Sequence, residues 1–148
     1  MEHPTGGGRR IARFLGDVEA SLSVHRYRNP VAVWPQDGES VAEAVLAALD
    51  GGPGDDLAEL VAGLAGRLGG NVSVTTPRLP ASVIAFGEVL ILGLCGSCGV
   101  TVGTGLRLRL RAGELVYVPS GRAYDCADMR GECLVLVLHL AGGKPERR

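Results

Sequence analysis

The chain has 148 residues, 46% of them hydrophobic, which is enough for one domain around one core. A formal net charge of -1 and a pI near 6.3 exclude a global positive field of the kind that gathers nucleic acid. No apolar run reaches the roughly 18 residues of a membrane span, and Met1 to Gly8 lack the basic-then-apolar pattern of an export signal, so a cytoplasmic protein with no nucleic-acid or membrane partner is expected.

Aromatic residues make up only 4% of the chain, and Lys144 stands alone beside fourteen arginines, a skew that fits the coding bias of a GC-rich bacterial genome. With so few rings the core must rest on Leu, Val and Ile. After a Gly-rich leader over residues 1–8, taken as flexible, Ile11, Phe14, Leu15, Val18 and Leu22 recur at helical spacing and predict an amphipathic helix from Arg9 to about Val24. Asn29-Pro30 breaks the chain, and Val31 to Trp34 reads as a short strand closed by Pro35 and the Asp37-Gly38 turn. Ser40 with Glu43, and Asp56 with Glu59, have the spacing of capping boxes, opening helices that end at Gly51-Gly52 and Gly69-Gly70. Residues 9–71 therefore form a helical segment.

From Val72 the period changes to that of strands. Runs at Val72 to Thr76, Ser82 to Phe86, Val89 to Leu94, Val100 to Val102, Leu106 to Arg111, Leu115 to Val118 and Cys133 to Leu140, separated by turn residues, predict a β-barrel or sandwich over residues 72–141, with 142–148 as a flexible tail. Strict alternation from Leu106 to Arg111 turns the leucines inward and the arginines outward. The stretch from Leu134 to Leu138 is apolar on both faces, as suits a strand covered on one side by the helices.

The segment Gly113-Glu114-Leu115-Val116-Tyr117-Val118-Pro119-Ser120-Gly121-Arg122-Ala123-Tyr124 fits the second cupin motif, G-x5-P-x-G-x2-H, except at its last position. With the preceding helix and strands, residues 57 to 140 resemble the Jumonji-like 2-oxoglutarate oxygenases of the ribosomal-protein hydroxylase type. That resemblance implies a mainly β fold with N-terminal helices, a cupin-type double-stranded β-helix barrel. In that family an H-x-D pair and a later His hold iron(II). The same frame places Val83 and Ala85 at the H-x-D positions and Tyr124 at the third ligand, and Val and Ala carry no donor atoms. Family-type iron catalysis is therefore expected to be absent, and no catalytic residue is assigned.

Other groups carry weaker expectations. Tyr124, Asp125, Glu88 and Arg122 are candidates for a ligand pocket at the barrel mouth. Cys95, Cys98, Cys126 and Cys133 give C-x2-C and C-x6-C, and antiparallel pairing of the strands that carry them brings a four-thiolate zinc site within reach; the alternative is four free thiols packed as small hydrophobes. The cluster His25-Arg26-Tyr27-Arg28 reads as an anion site or a solvated helix end, and His139 as a hydrogen-bonded structural residue. The Arg107, Arg109, Arg111 stripe reads as phosphate-gripping or as edge protection.

The function expected is that of a degenerate, non-catalytic cupin-like protein without a cofactor, zinc aside, acting as an accessory module that binds a protein partner or a small molecule. Self-association or a second protein is the expected partnership, with the N-terminal helix in the contact. An enzyme with a metal-independent site around Tyr124 is one alternative, and a zinc- or redox-responsive module using the four cysteines is the other.

Overall fold

The computed structural model describes residues 6–141, with side chains from residue 9 to residue 140; the leader residues 1–5 and the tail 142–148 lie outside the described residues. In chain order the elements are α1 (Gly6–His25), β1 (Val31–Val33), α2 (Gly38–Leu49), α3 (Asp55–Leu68), β2 (Asn71–Thr75), β3 (Ala81–Ile84), β4 (Glu88–Val102), β5 (Leu106–Arg111), β6 (Leu115–Val118) and β7 (Ala123–Ala141).

Two long strands organise the barrel. β4 and β7 pair antiparallel along their whole length, and each passes through two half-sheets. In the first half-sheet β4 is flanked by β6 and β7, with β1 beyond β6 and β2 beyond β7. In the second, β5 joins the far end of β4 and β3 joins the near end of β7. The transition falls where the β4 and β7 register shifts three times, between Gly93 and Gly99. Such bulges bend a strand pair and raise its twist. Gly96 sits in the middle at φ +62°, and a Cβ there would lie 2.6 Å from the Glu132 carbonyl oxygen and 2.8 Å from Cys133 Cα; only glycine combines that backbone with that approach.

Alternation along the bent strands sorts their side chains into two cores. Val89, Ile91, Val100, Val102, Leu110, Val116, Val118, Val135 and Val137 face one another between the half-sheets and form the barrel interior. Leu90, Leu92, Leu115, Tyr117, Leu136, Leu138 and Leu140 face the other way and pack against the helices. This is the mainly β fold with N-terminal helices that the strand spacing predicts. Ile11, Phe14, Leu15, Val18 and Leu22 of α1 are all buried in that second core, so the apolar stripe of the helix covers the barrel within its own chain.

Several local readings are corrected. α1 takes in Gly6 to Gly8, so part of the supposed leader is helix. α2 begins at Gly38 after Asp37 at φ 62°, and α3 begins after Gly54, neither with a side-chain cap; Ser40 and Asp56 lie inside the first turns, where their spacing from Glu43 and Glu59 closes no capping box. The runs at Val89 and Val100 belong to one strand, and Cys133 to Leu140 is the end of a strand that starts at Ala123. Glycine- and cysteine-rich sequence hid the continuity, because bulges need such residues and turns use the same ones. Leu134, 41% exposed, is not part of the two-faced apolar strand.

Candidate functional site

The four residues expected to share a pocket point in different directions. Tyr124 is 5% exposed and faces the barrel interior, where burial above all, with Cys126 nearby, raises its phenol pKa. Its neighbour Asp125 faces outward, as alternation requires, and accepts a hydrogen bond from Ser82 Oγ. Asp125 lines a shallow groove of about 390 Å³ on the outer face of the second half-sheet, with Arg107, Arg109 and Asp128. Arg122 donates to the Arg28 carbonyl oxygen at 3.1 Å, tying the β7 approach to the chain after α1.

Glu88 faces the helices. Arg26 at the end of α1 grips it through Nε and Nη2, each at 2.9 Å, and spends Nη1 on the Leu68 carbonyl at the end of α3. The Tyr117 hydroxyl donates to Glu88 Oε2 at 2.5 Å and accepts from the Tyr27 amide. Burial first, then the hydrogen bond to Glu88, pushes the Tyr117 pKa up, and the bond to Glu88 is the main cause that raises Arg26. This is an interlocked structural network, since a buried carboxylate needs a paired and hydrogen-bonded partner. Within the basic cluster at residues 25–28, Arg26 is thus committed to this network, while Tyr27 and Arg28 are exposed. The sequence signal was slight: one acid at the head of an apolar strand, and one arginine at the end of an apolar helix face.

The frame drawn from the motif places Ala85 and Tyr124 in the barrel interior, both buried, while Val83 is 40% exposed. His139 shares a 3.0 Å hydrogen bond with Thr75 Oγ1 on the neighbouring strand, which is the structural role expected of it. Arg109 is held by Asp128 at 2.5 Å and by Ser97 Oγ at 2.9 Å, so one of the stripe's three arginines is already paired within the sheet.

The four cysteines flank the bend where β4 and β7 change half-sheets. Cys98 and Cys126 are buried in the interior core, with Cys133 packed against it half-buried. The Cys98 thiol has Cys126 and Cys133 as neighbours that shift its pKa. The Cys98–Cys126 interaction raises the pKa of Cys98 and lowers that of Cys126; burial raises Cys133 to about 12, with Cys98 and Cys95 adding to the rise. Cys95 is turned to the Glu132 carbonyl oxygen at 3.1 Å. Among the described residues no three His, Cys, Asp or Glu side chains are gathered in an arrangement that could hold a metal ion, so the strand pairing assembles a chain of three thiols with Cys95 to one side.

No helix among the described residues is long and apolar enough to cross a membrane. No family model matches the chain, and no curated protein matches it. Solved structures similar to part of it include the TDP-fucose-3,4-ketoisomerase WlaRA from Campylobacter jejuni, 15% identical over 46% of this chain and 59% of that one with a TM-score of 0.40. A cupin superfamily protein from Desulfitobacterium hafniense is 24% identical over 47% of this chain and 64% of its own, TM-score 0.38. The DMSP lyase DddQ from Ruegeria pomeroyi is 19% identical over 48% and 38%, TM-score 0.40. The chain covers less than two thirds of each of these three, and nothing about activity passes from them to it.

Proposed function

We propose that this protein is a partner-binding accessory module built on a cupin-like barrel, and that it is not an iron-dependent oxygenase. The observation that carries the reading is the apolar edge at β3. Val83, Ile84 and Phe86 are 40%, 59% and 97% exposed, with Ala85 alone turned in. Among the described residues β3 pairs only with β7, so its second edge offers unpaired backbone groups beside those side chains. Monomeric proteins blunt such edges with charge, proline or bulges, and the four residues of β3 carry no charge. An uncharged edge can pair antiparallel with its own copy without opposing like charges, so the contact is assigned to a second copy of this chain.

The interior supports the same reading from the other side. Of the positions that the resemblance would give to iron, the exposed Val83 and the interior Ala85 carry no donor atom and the interior Tyr124 offers a phenol of raised pKa, within a core of aliphatic side chains and thiols. Light scattering on the purified protein tests the contact: a dimer that Ile84→Lys with Phe86→Ser turns into a folded monomer is the expected result, and a monomer at all concentrations overturns it. Stoichiometric iron binding with turnover of 2-oxoglutarate would overturn the non-oxygenase half independently.

A further inference from the structure

We infer that Cys133 and Cys98 form a reversible disulfide that staples β7 to β4 at the bend between the half-sheets, making the barrel a peroxide-responsive redox element. This goes beyond the accessory role and does not depend on it. Three observations converge. The register sets Cys95 opposite Leu134 and Val100 opposite Cys126, and Gly96 lies against Cys133 Cα, so Cys98 is the β4 cysteine that falls between Cys126 and Cys133 along the strand pair. Inward alternation puts Cys98, Cys126 and Cys133 in or against one core, and Cys98 is near enough to both others for their thiols to shift its pKa. Their exposures differ in a useful order: Cys98 and Cys126 are fully buried, while Cys133 is half-buried and is the member of the chain an oxidant reaches.

The chemistry balances with a hydroperoxide as oxidant. The Cys133 sulfur attacks the peroxide oxygen, giving the sulfenic acid and water as the O–O bond breaks and the peroxide takes up two electrons. The Cys98 sulfur then attacks the sulfenic sulfur, forming the S–S bond and releasing a second water. Cys126 lies beside Cys98 and takes no part in the net reaction. Thiolate character governs the first step, and the raised pKa of Cys133 makes it slow at neutral pH and faster as pH rises.

The test uses the full chain, reduced and then treated with hydrogen peroxide. Intact mass is expected to fall by two hydrogens per monomer and to recover on reduction by dithiothreitol. Tryptic cleavage puts Cys98 in residues 79–107, Cys126 in 123–130 and Cys133 in 131–147, the Lys144–Pro145 bond being resistant, so the linked peptides name the pair. Cys95 shares the first peptide with Cys98, and variants separate them: Cys95→Ser must keep the link, whereas Cys98→Ala and Cys133→Ser must each lose it. Cys133→Ser, at the half-buried position, keeps the test valid if Cys98→Ala fails to fold. A link that survives in Cys98→Ala, a Cys98–Cys126 link, oxidation that stops at the Cys133 sulfinic acid, or disulfides only between chains would each overturn the proposal.

Discussion

Arg26 and Glu88, 62 residues apart in sequence, meet through two 2.9 Å hydrogen bonds at the junction of the helices and the barrel. The pair is the polar rivet in an otherwise aliphatic interface, because Arg26 also closes on the end of α3 and Glu88 also accepts from Tyr117 of β6.

Breaking this pair from one side is expected to be costly. Arg26→Ala strands the buried Glu88 carboxylate and should lower the unfolding free energy by about 3–5 kcal/mol in urea titration. Replacing both partners, Arg26→Met with Glu88→Leu, should recover most of that loss, because no charge is then left unpaired. Equal destabilisation in the single and double variants would show that the network is not what joins the layers.

Neighbouring leucines on β7 should behave oppositely. Leu136 is fully buried between sheet and helices while Leu134 is 41% exposed. Leu136→Ala should cost about 2–5 kcal/mol through lost burial and a residual cavity, and Leu134→Ala about 0.5 kcal/mol, as at surface sites. Chemical denaturation of the two variants side by side checks the strand placement.

The bend should tolerate nothing larger than glycine at its centre. Gly96→Ala must either abandon a left-handed backbone or push aside the Glu132 carbonyl and Cys133 Cα, and a strain of about 1–3 kcal/mol is expected. If the bend sets the spacing of the thiols, the same variant should also slow or abolish the Cys98–Cys133 linkage, read by peptide mapping.

Stability should fall in alkali. Burial holds the Cys133 thiol protonated to about 12, against 9.0 for a free thiol. Between those values the unfolded chain releases the proton while the folded chain keeps it, so the unfolded state binds fewer protons and the unfolding free energy falls as pH rises. The contribution is fully present below pH 9. Melting temperatures followed from pH 8 upward should decline less steeply in Cys133→Ser, and an unchanged slope would show that the thiol is not held protonated.

Periodicity alone determined much of this protein. The 3.6-residue recurrence of Ile11, Phe14, Leu15, Val18 and Leu22, and the alternation of Leu106 to Arg111, fix which face of each element is buried, because a side chain's direction follows from its place in a helix or strand. β5 and β6 have the bounds that the pattern predicts. The motif ending at Tyr124 also placed that residue inside the barrel. Tertiary structure decided what local patterns do not encode. Whether the segment around Gly96 turns the chain or merely bends a strand depends on β7 being there to pair with it, and the glycines are the same in both cases. Tyr124 and Asp125, adjacent in sequence, were parted by the two faces of one strand, and Glu88 was claimed by Arg26 from a distant helix end. The exposure of Phe86 was likewise invisible, since an apolar side chain in a short strand becomes core or contact surface only by what packs over it.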